Sequence, residues 1–160
     1  MAKYIIPFGF LLLLGLFSCN DEQGDLEELQ QQILEVNIAE IEDYLADNNL
    51  TAQRTANDLF FIIEEEGNGE FPTIDDDVTV DYHGYFTSGN VFDSSVERGE
   101  PATFPLSRVI RGWQEGIPLF SKGGKGILLI PSHLAYGQSG VPGSIPSNSV
   151  IIFDVNLINF

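Results

Sequence analysis

Cysteine and basic side chains are the scarce components of this chain. Cys19 is its single cysteine, so no internal disulfide framework holds it together. Only 7 lysines and arginines stand against 24 aspartates and glutamates, a formal net charge of -17. With no basic patch to neutralise phosphates, nucleic-acid binding is not expected. Anionic lipid headgroups would be repelled for the same reason, so charge cannot attach the chain to a membrane. The two histidines, His83 and His133, lack neighbours at metal-ligand spacing. Asp75-Asp76-Asp77 lacks the spaced ligands and glycine of a calcium loop and reads as a solvated turn. Gly123-Gly124-Lys125 lacks the earlier glycine and the following Ser or Thr of a phosphate-binding loop. Neither a metal nor a cofactor is expected.

Long apolar runs are also few. The one at the start, Tyr4 to Phe17 behind Lys3, is shorter than the roughly 20 apolar residues that span a bilayer, so residues 1–18 read as a secretion signal to be removed. Ser18-Cys19 at its end resembles a bacterial lipobox, in which the cysteine is acylated and becomes the new N-terminus; Phe17 is unusual for that motif. The alternative is an incidental thiol after an ordinary signal. Acylation would anchor the chain to a membrane without spanning it, placing it in the cell envelope, on the periplasmic or outer side of an outer membrane. The acidic cluster Asp21, Glu22, Asp25, Glu27 and Glu28 resembles the surface-export signals of Bacteroidetes-type lipoproteins, or is simply a solvated spacer.

Between Asn20 and Asp77 the only basic residue is Arg54, so the acidity belongs to the N-terminal part. Asp25 is placed to cap a helix, with Glu28 completing a capping box. Leu26, Leu29, Ile33, Val36 or Asn37, Ile41, Tyr44 and Leu45 follow at helical spacing. Such an apolar stripe packs on the domain that follows or pairs with a second copy as a homodimer; the spacing does not choose. Asp47-Asn48-Asn49 ends the helix and a link runs to about Ala56, so the organisation is 1–18 signal, 19–56 linker and helix, and 57–160 one domain. There the pattern changes to strands. Leu59 to Ile63 is β-rich, Val78, Val80 and Tyr82 alternate with polar residues, Ser88-Gly89-Asn90 turns into Val91-Phe92, and Ile127–Ile130 and Val150–Leu157 are apolar strands. Arg111 to Phe120 is a short helix bounded by Pro118, and Pro131–Ser149 a long loop of the kind that carries function. Strands around one short helix give an α+β fold with an antiparallel sheet.

Five segments carry the function: Val80-Asp81-Tyr82-His83-Gly84, Gly89-Asn90-Val91-Phe92-Asp93-Ser94-Ser95, Val109-Ile110-Arg111-Gly112-Trp113, Ala135-Tyr136-Gly137 and Phe153-Asp154-Val155. They join aromatic residues to one lone carboxylate, without a nucleophile and base. In order and spacing they resemble FKBP-type peptidyl-prolyl cis-trans isomerases, over roughly Asn57 to Phe160. The resemblance implies a five- or six-stranded antiparallel half-barrel wrapped around a short helix, with the ligand between helix and sheet. It implies Trp113 as the floor under a proline ring, walls from Tyr82, Phe92 and Phe153, and Val109 and Ile145 at the rim. By the same resemblance the Ile110 N–H and the Tyr136 hydroxyl donate to substrate carbonyls, while Asp93 bonds Tyr82 and faces Arg98. The implied partners are proline-containing polypeptides, with FKBP-directed macrolides such as rapamycin a further option. A non-catalytic peptide-binding or chaperone module is the alternative reading. Ala102 where the family often has a third aromatic wall, a segment before Val109 about two residues shorter, and Val141 and Ser144 in the loop put specificity and macrolide affinity in question.

Overall fold

The computed structural model describes residues 21–160, so the signal segment and Cys19 lie outside the described residues. Helix α1 (Asp21–Asp47) precedes strands β1 (Gln53–Arg54), β2 (Phe60–Glu65), β3 (Asp77–Tyr85) and β4 (Val91–Ser94). One helical turn, α2 (Ser95–Arg98), leads to β5 (Ala102–Pro105). Helix α3 (Arg111–Gly116) then continues as a tighter 3-10 turn before β6 (Lys125–Ile130) and the final β7 (Ile151–Asn159). The strands form one seven-stranded sheet in the order β1-β2-β6-β7-β3-β4, with β5 beside β4 on the same edge of β3. Every pairing is antiparallel. The count exceeds the expected five or six because β1 and β5, of two and four residues, are too short to stand out in the sequence.

The two faces of the sheet bury different sets. Val80 and Tyr82 of β3 stand opposite Leu157 and Val155 of β7, Val78 stands opposite Phe104 of β5, and these β3 residues pack with Leu128, Ile130, Trp113, Ile117 and Phe120 in the main core. Phe60, Ile127, Leu129 and Ile152 point to the other face, where α1 covers them with Ile38, Ile41, Tyr44 and Leu45. This explains why β6 is apolar at every position from Ile127 to Ile130 while β3 alternates: a strand buried on both sides has no polar face. The apolar stripe of α1 therefore packs on its own domain. The stripe departs from the expected one at its N-terminal end, and between Val36 and Asn37 the structure chooses the asparagine. Leu26 and Leu29 are exposed, Val36 is 65% exposed, and Asn37 takes the inward position. Asp25 does not cap the helix, which already runs from Asp21.

Two glycines let α3 approach the sheet. A Cβ at Gly112 would sit 2.5 Å from Ile130 Cγ2, and one at Gly116 would sit 2.7 Å from a Leu128 methyl. They cost helix propensity, as the sequence suggests, yet any larger residue would push the helix off the sheet. Glu115 holds the preceding link in place, accepting from Thr55 Oγ1 and, at 3.0 Å, from Asn57 Nδ2.

Candidate active site

Between α3 and the concave face of the sheet lies a cavity of about 540 Å³. Its lining includes Tyr82, Phe92, Asp93, Val109, Ile110, Trp113, Tyr136, Ile145 and Phe153, so the structure brings these expected residues together. Arg98 stands behind the wall and does not line the cavity. Phe104, Arg108, Val141 and Ser144 complete the lining.

Trp113 is 4% exposed and forms the floor. The rings of Tyr82, Phe104 and Phe153 meet it edge to face, with centroids at 5.4, 5.8 and 5.2 Å and interplanar angles of 83, 84 and 80°. Pairs of this geometry contribute roughly 0.5–1.5 kcal/mol each beyond their buried area, so the four rings hold one another in place. Phe92 extends the cluster through Phe153, at 5.5 Å and 88°. Gly84 makes this possible: a Cβ there would fall 2.7 Å from Phe153 and 2.9 Å from Phe92. Phe104 is the wall residue that the sequence reading missed. The expected gap at Ala102 is filled two residues later, because β5 alternates and presents Phe104 beside Tyr82 and Trp113. The i, i+2 spacing behind Pro101 was the available signal.

The polar wall is organised by one turn of helix. Ser94 caps α2 by accepting from the Glu97 N–H at 3.1 Å, and the left-handed Gly99 (φ +74°) ends it. Ser95 Oγ accepts from the Tyr82 N–H at 2.8 Å and ties the turn to β3. So folded, the turn brings Arg98 back over Asp93. The Tyr82 hydroxyl donates to Asp93 Oδ2 at 2.5 Å, Arg98 donates to Asp93 Oδ1, and Arg98 Nη2 donates to the Tyr82 oxygen at 2.8 Å. Burial pushes the Asp93 carboxyl up, but the hydrogen bonds from Tyr82 and Arg98 outweigh it and leave it below the ordinary value. Burial, and then the Asp93 carboxylate, push the Tyr82 hydroxyl up; burial and Asp93 do the same to Tyr136. Asp93 is thus a charged, committed acceptor and both tyrosines are neutral donors at physiological pH. None of the three is poised to exchange a proton with a substrate near neutrality.

Loop geometry fixes the remaining donors. The Ile110 carbonyl accepts from the Trp113 and Gln114 N–H groups at 2.9 and 3.1 Å and so begins α3. Gln114 Nε2 donates back to the Val109 carbonyl at 2.8 Å. The Ile110 N–H donates to no backbone acceptor among the described residues, which leaves it available at the cavity edge. Val141 and Ile145 close a tight turn through two backbone bonds of 2.7 and 2.9 Å, presenting both side chains at the rim. Neither histidine lines the cavity: His83 meets Ser94 Oγ at 3.0 Å and His133 meets the Asn57 carbonyl at 3.1 Å. Asp76 is occupied in closing a turn, accepting from the Thr73 N–H and hydroxyl at 2.7 and 2.8 Å.

An antiparallel half-barrel that clasps an aromatic-floored cavity under a short helix, with no nucleophile and base in it, defines a non-covalent binding pocket for an apolar group. Comparison with known proteins gives the family. The profile of the FKBP-type peptidyl-prolyl cis-trans isomerases matches residues 68–158, and the chain belongs to that family. It is 48% identical over 104 residues to the peptidyl-prolyl cis-trans isomerase Mip of Coxiella burnetii, covering 65% of this chain and 45% of the relative. It is 49% identical over 119 residues to FkpA of Aeromonas hydrophila, covering 73% of this chain and 44% of the relative. The chain therefore spans less than half the length of these curated relatives. The crystal structure of FkpA from Escherichia coli superposes with a TM-score of 0.70 at 36% identity, covering 90% of this chain and 73% of that one.

Proposed function

We propose that this chain catalyses cis-trans isomerisation of Xaa-Pro bonds in polypeptides, and that it does so without covalent chemistry. The observation that carries the reading is the cavity itself, floored by Trp113 and walled by Tyr82, Phe104 and Phe153, with no histidine, cysteine or lysine in its lining. Rotation about a peptide bond costs about 18–20 kcal/mol because the planar amide is resonance-stabilised. Proline is the residue whose preceding bond populates both isomers, and its ring is an apolar body that suits such a floor. Resonance places partial charge on the amide O and N, and water favours that separation. A dry aromatic enclosure favours the twisted, less polar amide instead, and so stabilises the transition state over the ground state. The Ile110 N–H and the Tyr136 hydroxyl position the substrate by its carbonyls. Asp93 and Arg98 act at one remove, by fixing the Tyr82 ring.

Supporting an envelope role, Cys19 follows an apolar leader and precedes a strongly acidic stretch. The chain is in this reading a lipoprotein, tethered through Cys19 to the outer membrane and acting on exported polypeptides that wait on slow proline steps. No described helix is long and apolar enough to cross a membrane. Macrolides of the rapamycin type are candidate competitors for the cavity, and the exposed Leu26, Leu29 and Val36 on α1 are a candidate surface for self-association.

Exchange spectroscopy on an Xaa-Pro peptide tests the activity. The wild-type chain accelerates interconversion and Trp113→Ala, checked as folded by circular dichroism, loses at least about tenfold in rate, the equivalent of ~1.4 kcal/mol of barrier. A wild-type chain that binds the peptide and leaves its exchange unchanged is a binding module, and the enzymatic reading then fails. Mass spectrometry of the membrane fraction tests the anchor, which an unacylated product beginning elsewhere than Cys19 would rule out.

A further inference from the structure

Among the described residues of α1, Asn37 is the one polar residue that is almost wholly buried, at 2% exposure. Both the nitrogen and the oxygen of its amide find partners far away in sequence. Nδ2 donates to the Asn148 carbonyl at 3.0 Å and Oδ1 accepts from the Ser132 N–H at 2.8 Å. Ser132 and Asn148 are the two ends of the long loop between β6 and β7, which supplies Tyr136, Val141, Ser144 and Ile145 to the cavity. A single side chain of the N-terminal helix thus closes the base of the loop that forms one side of the site. Asn148 holds a left-handed backbone (φ 57°) and donates from its N–H to the Gly137 carbonyl at 2.8 Å, so the closure passes directly to the residue after Tyr136. An apolar residue would pack on the sheet as well as Asn37 and would satisfy neither loop end, and buried unpaired backbone groups are costly.

We propose that Asn37 is a positioning residue for the site: by clamping both ends of the 131–149 loop it sets where Tyr136 and Ile145 stand relative to the Trp113 floor. The helix ahead of the isomerase domain is then a working part of the active site and not only a cover for the sheet. The inference rests on the proposed isomerase activity for its kinetic readout, and on the loop alone for its spectroscopic one. The test uses the full chain carrying Asn37→Leu, Asn37→Asp, and Ile41→Ala as a control that loosens the same helix without touching the loop. Asn37→Leu raises KM more than it lowers kcat, with a loss in kcat/KM on the order of tenfold, inside the range that a ~1 Å misplacement produces. Amide chemical shifts move across residues 132–148 and stay in place in β4. Asn37→Asp keeps the acceptor for the Ser132 N–H but turns a carboxylate oxygen toward the Asn148 carbonyl, so it releases that end of the loop alone: the shifts centre on Gly137 and Asn148 and are smaller at Ser132, and this variant carries the decision should Asn37→Leu not fold. Ile41→Ala lowers the melting temperature at least as much but leaves kcat/KM within twofold of wild type. Loop shifts and kcat/KM unmoved in the Asn37 variants, or moved equally by Ile41→Ala, would overturn the proposal. A wild-type chain without activity refutes the isomerase reading, and the loop shifts alone then decide the clamp.

Discussion

The close approach of β3 to two pocket rings makes Gly84→Ala the sharpest single test of the site's packing. Gly84 is not among the glycines with positive φ, although the β3–β4 ladder shifts register immediately after it, so alanine meets no left-handed penalty and space decides the outcome. Its methyl carbon would lie 2.7 Å from Phe153 Cε1 and 2.9 Å from Phe92 Cε2 and Cζ. Carbon pairs are comfortable at about 3.5–4.0 Å, so each ring must retreat by close to 1 Å. Phe153 cannot retreat freely, because its far side is held against Trp113 at 5.2 Å and Tyr82 at 6.0 Å. Overpacking of this kind costs roughly 1–3 kcal/mol. Against it stands a gain of about 0.4–1 kcal/mol, because alanine narrows the unfolded ensemble. Strain wins, and a net loss of about 0.5–2 kcal/mol corresponds to a melting temperature lower by some 1–8 °C for a chain of this size.

Thermal unfolding by circular dichroism measures the loss, and peptide exchange kinetics measure its consequence for the pocket. Because both rings are walls of the site, KM for an Xaa-Pro peptide rises with the strain. Adding Phe92→Leu removes two of the three close contacts and relieves part of the penalty, so the double variant is more stable than the sum of the single changes predicts. A Gly84→Ala chain that melts within 1 °C of wild type with unchanged kinetics would show that the rings are loosely held, and the account of a rigid aromatic wall would be wrong.

Acidification tests the Asp93 cluster: a carboxyl held below its ordinary value contributes stability that is full at neutral pH and lost as pH falls through the folded-state value. With the Asp93 side chain 47% exposed, that contribution is at most ~1 kcal/mol, and Asp93→Asn should remove it together with the matching part of the acid limb in a stability-against-pH series. The isomerase rate should stay flat between about pH 6 and 8, since no histidine lines the cavity; a titration midpoint near 6.5 would refute the assignment. Arg108 lines the cavity mouth and makes no ion pair among the described residues, so Arg108→Glu should shift the peptide preference away from acidic residues beside proline by about two- to five-fold, read as the ratio of kcat/KM for Glu-Pro and Lys-Pro peptides.

How far the site was legible depends on what each residue has to do. Tyr82, Phe92, Asp93, Ile110 and Trp113 lie in short motifs whose local backbone determines their direction, and the structure gathers them as expected. Arg98 was reached as the partner of Asp93 only through the family resemblance; the structure supplies the physical reason, a single turn of α2 capped by Ser94 and ended by Gly99. Phe104 was not, since its role depends on the pairing of β5 with β3, and β5, four residues ending in proline, is too short to be read as a strand. Asn37 was harder still. Helical periodicity places either Val36 or Asn37 inward, and hydropathy favours the valine; the asparagine goes in because two backbone groups more than ninety residues away need its amide. The run Ile127-Leu128-Leu129-Ile130 did carry the missing half of that information. A β-strand apolar at every position must be covered on both faces, α3 and the main core cover only one, and among the described residues the remaining element long enough to cover the other is α1. Once that helix is required by the sheet, a polar residue on its inward face must find partners there. The Ser132 N–H and the Asn148 carbonyl, near the ends of β6 and β7, are the groups it bonds.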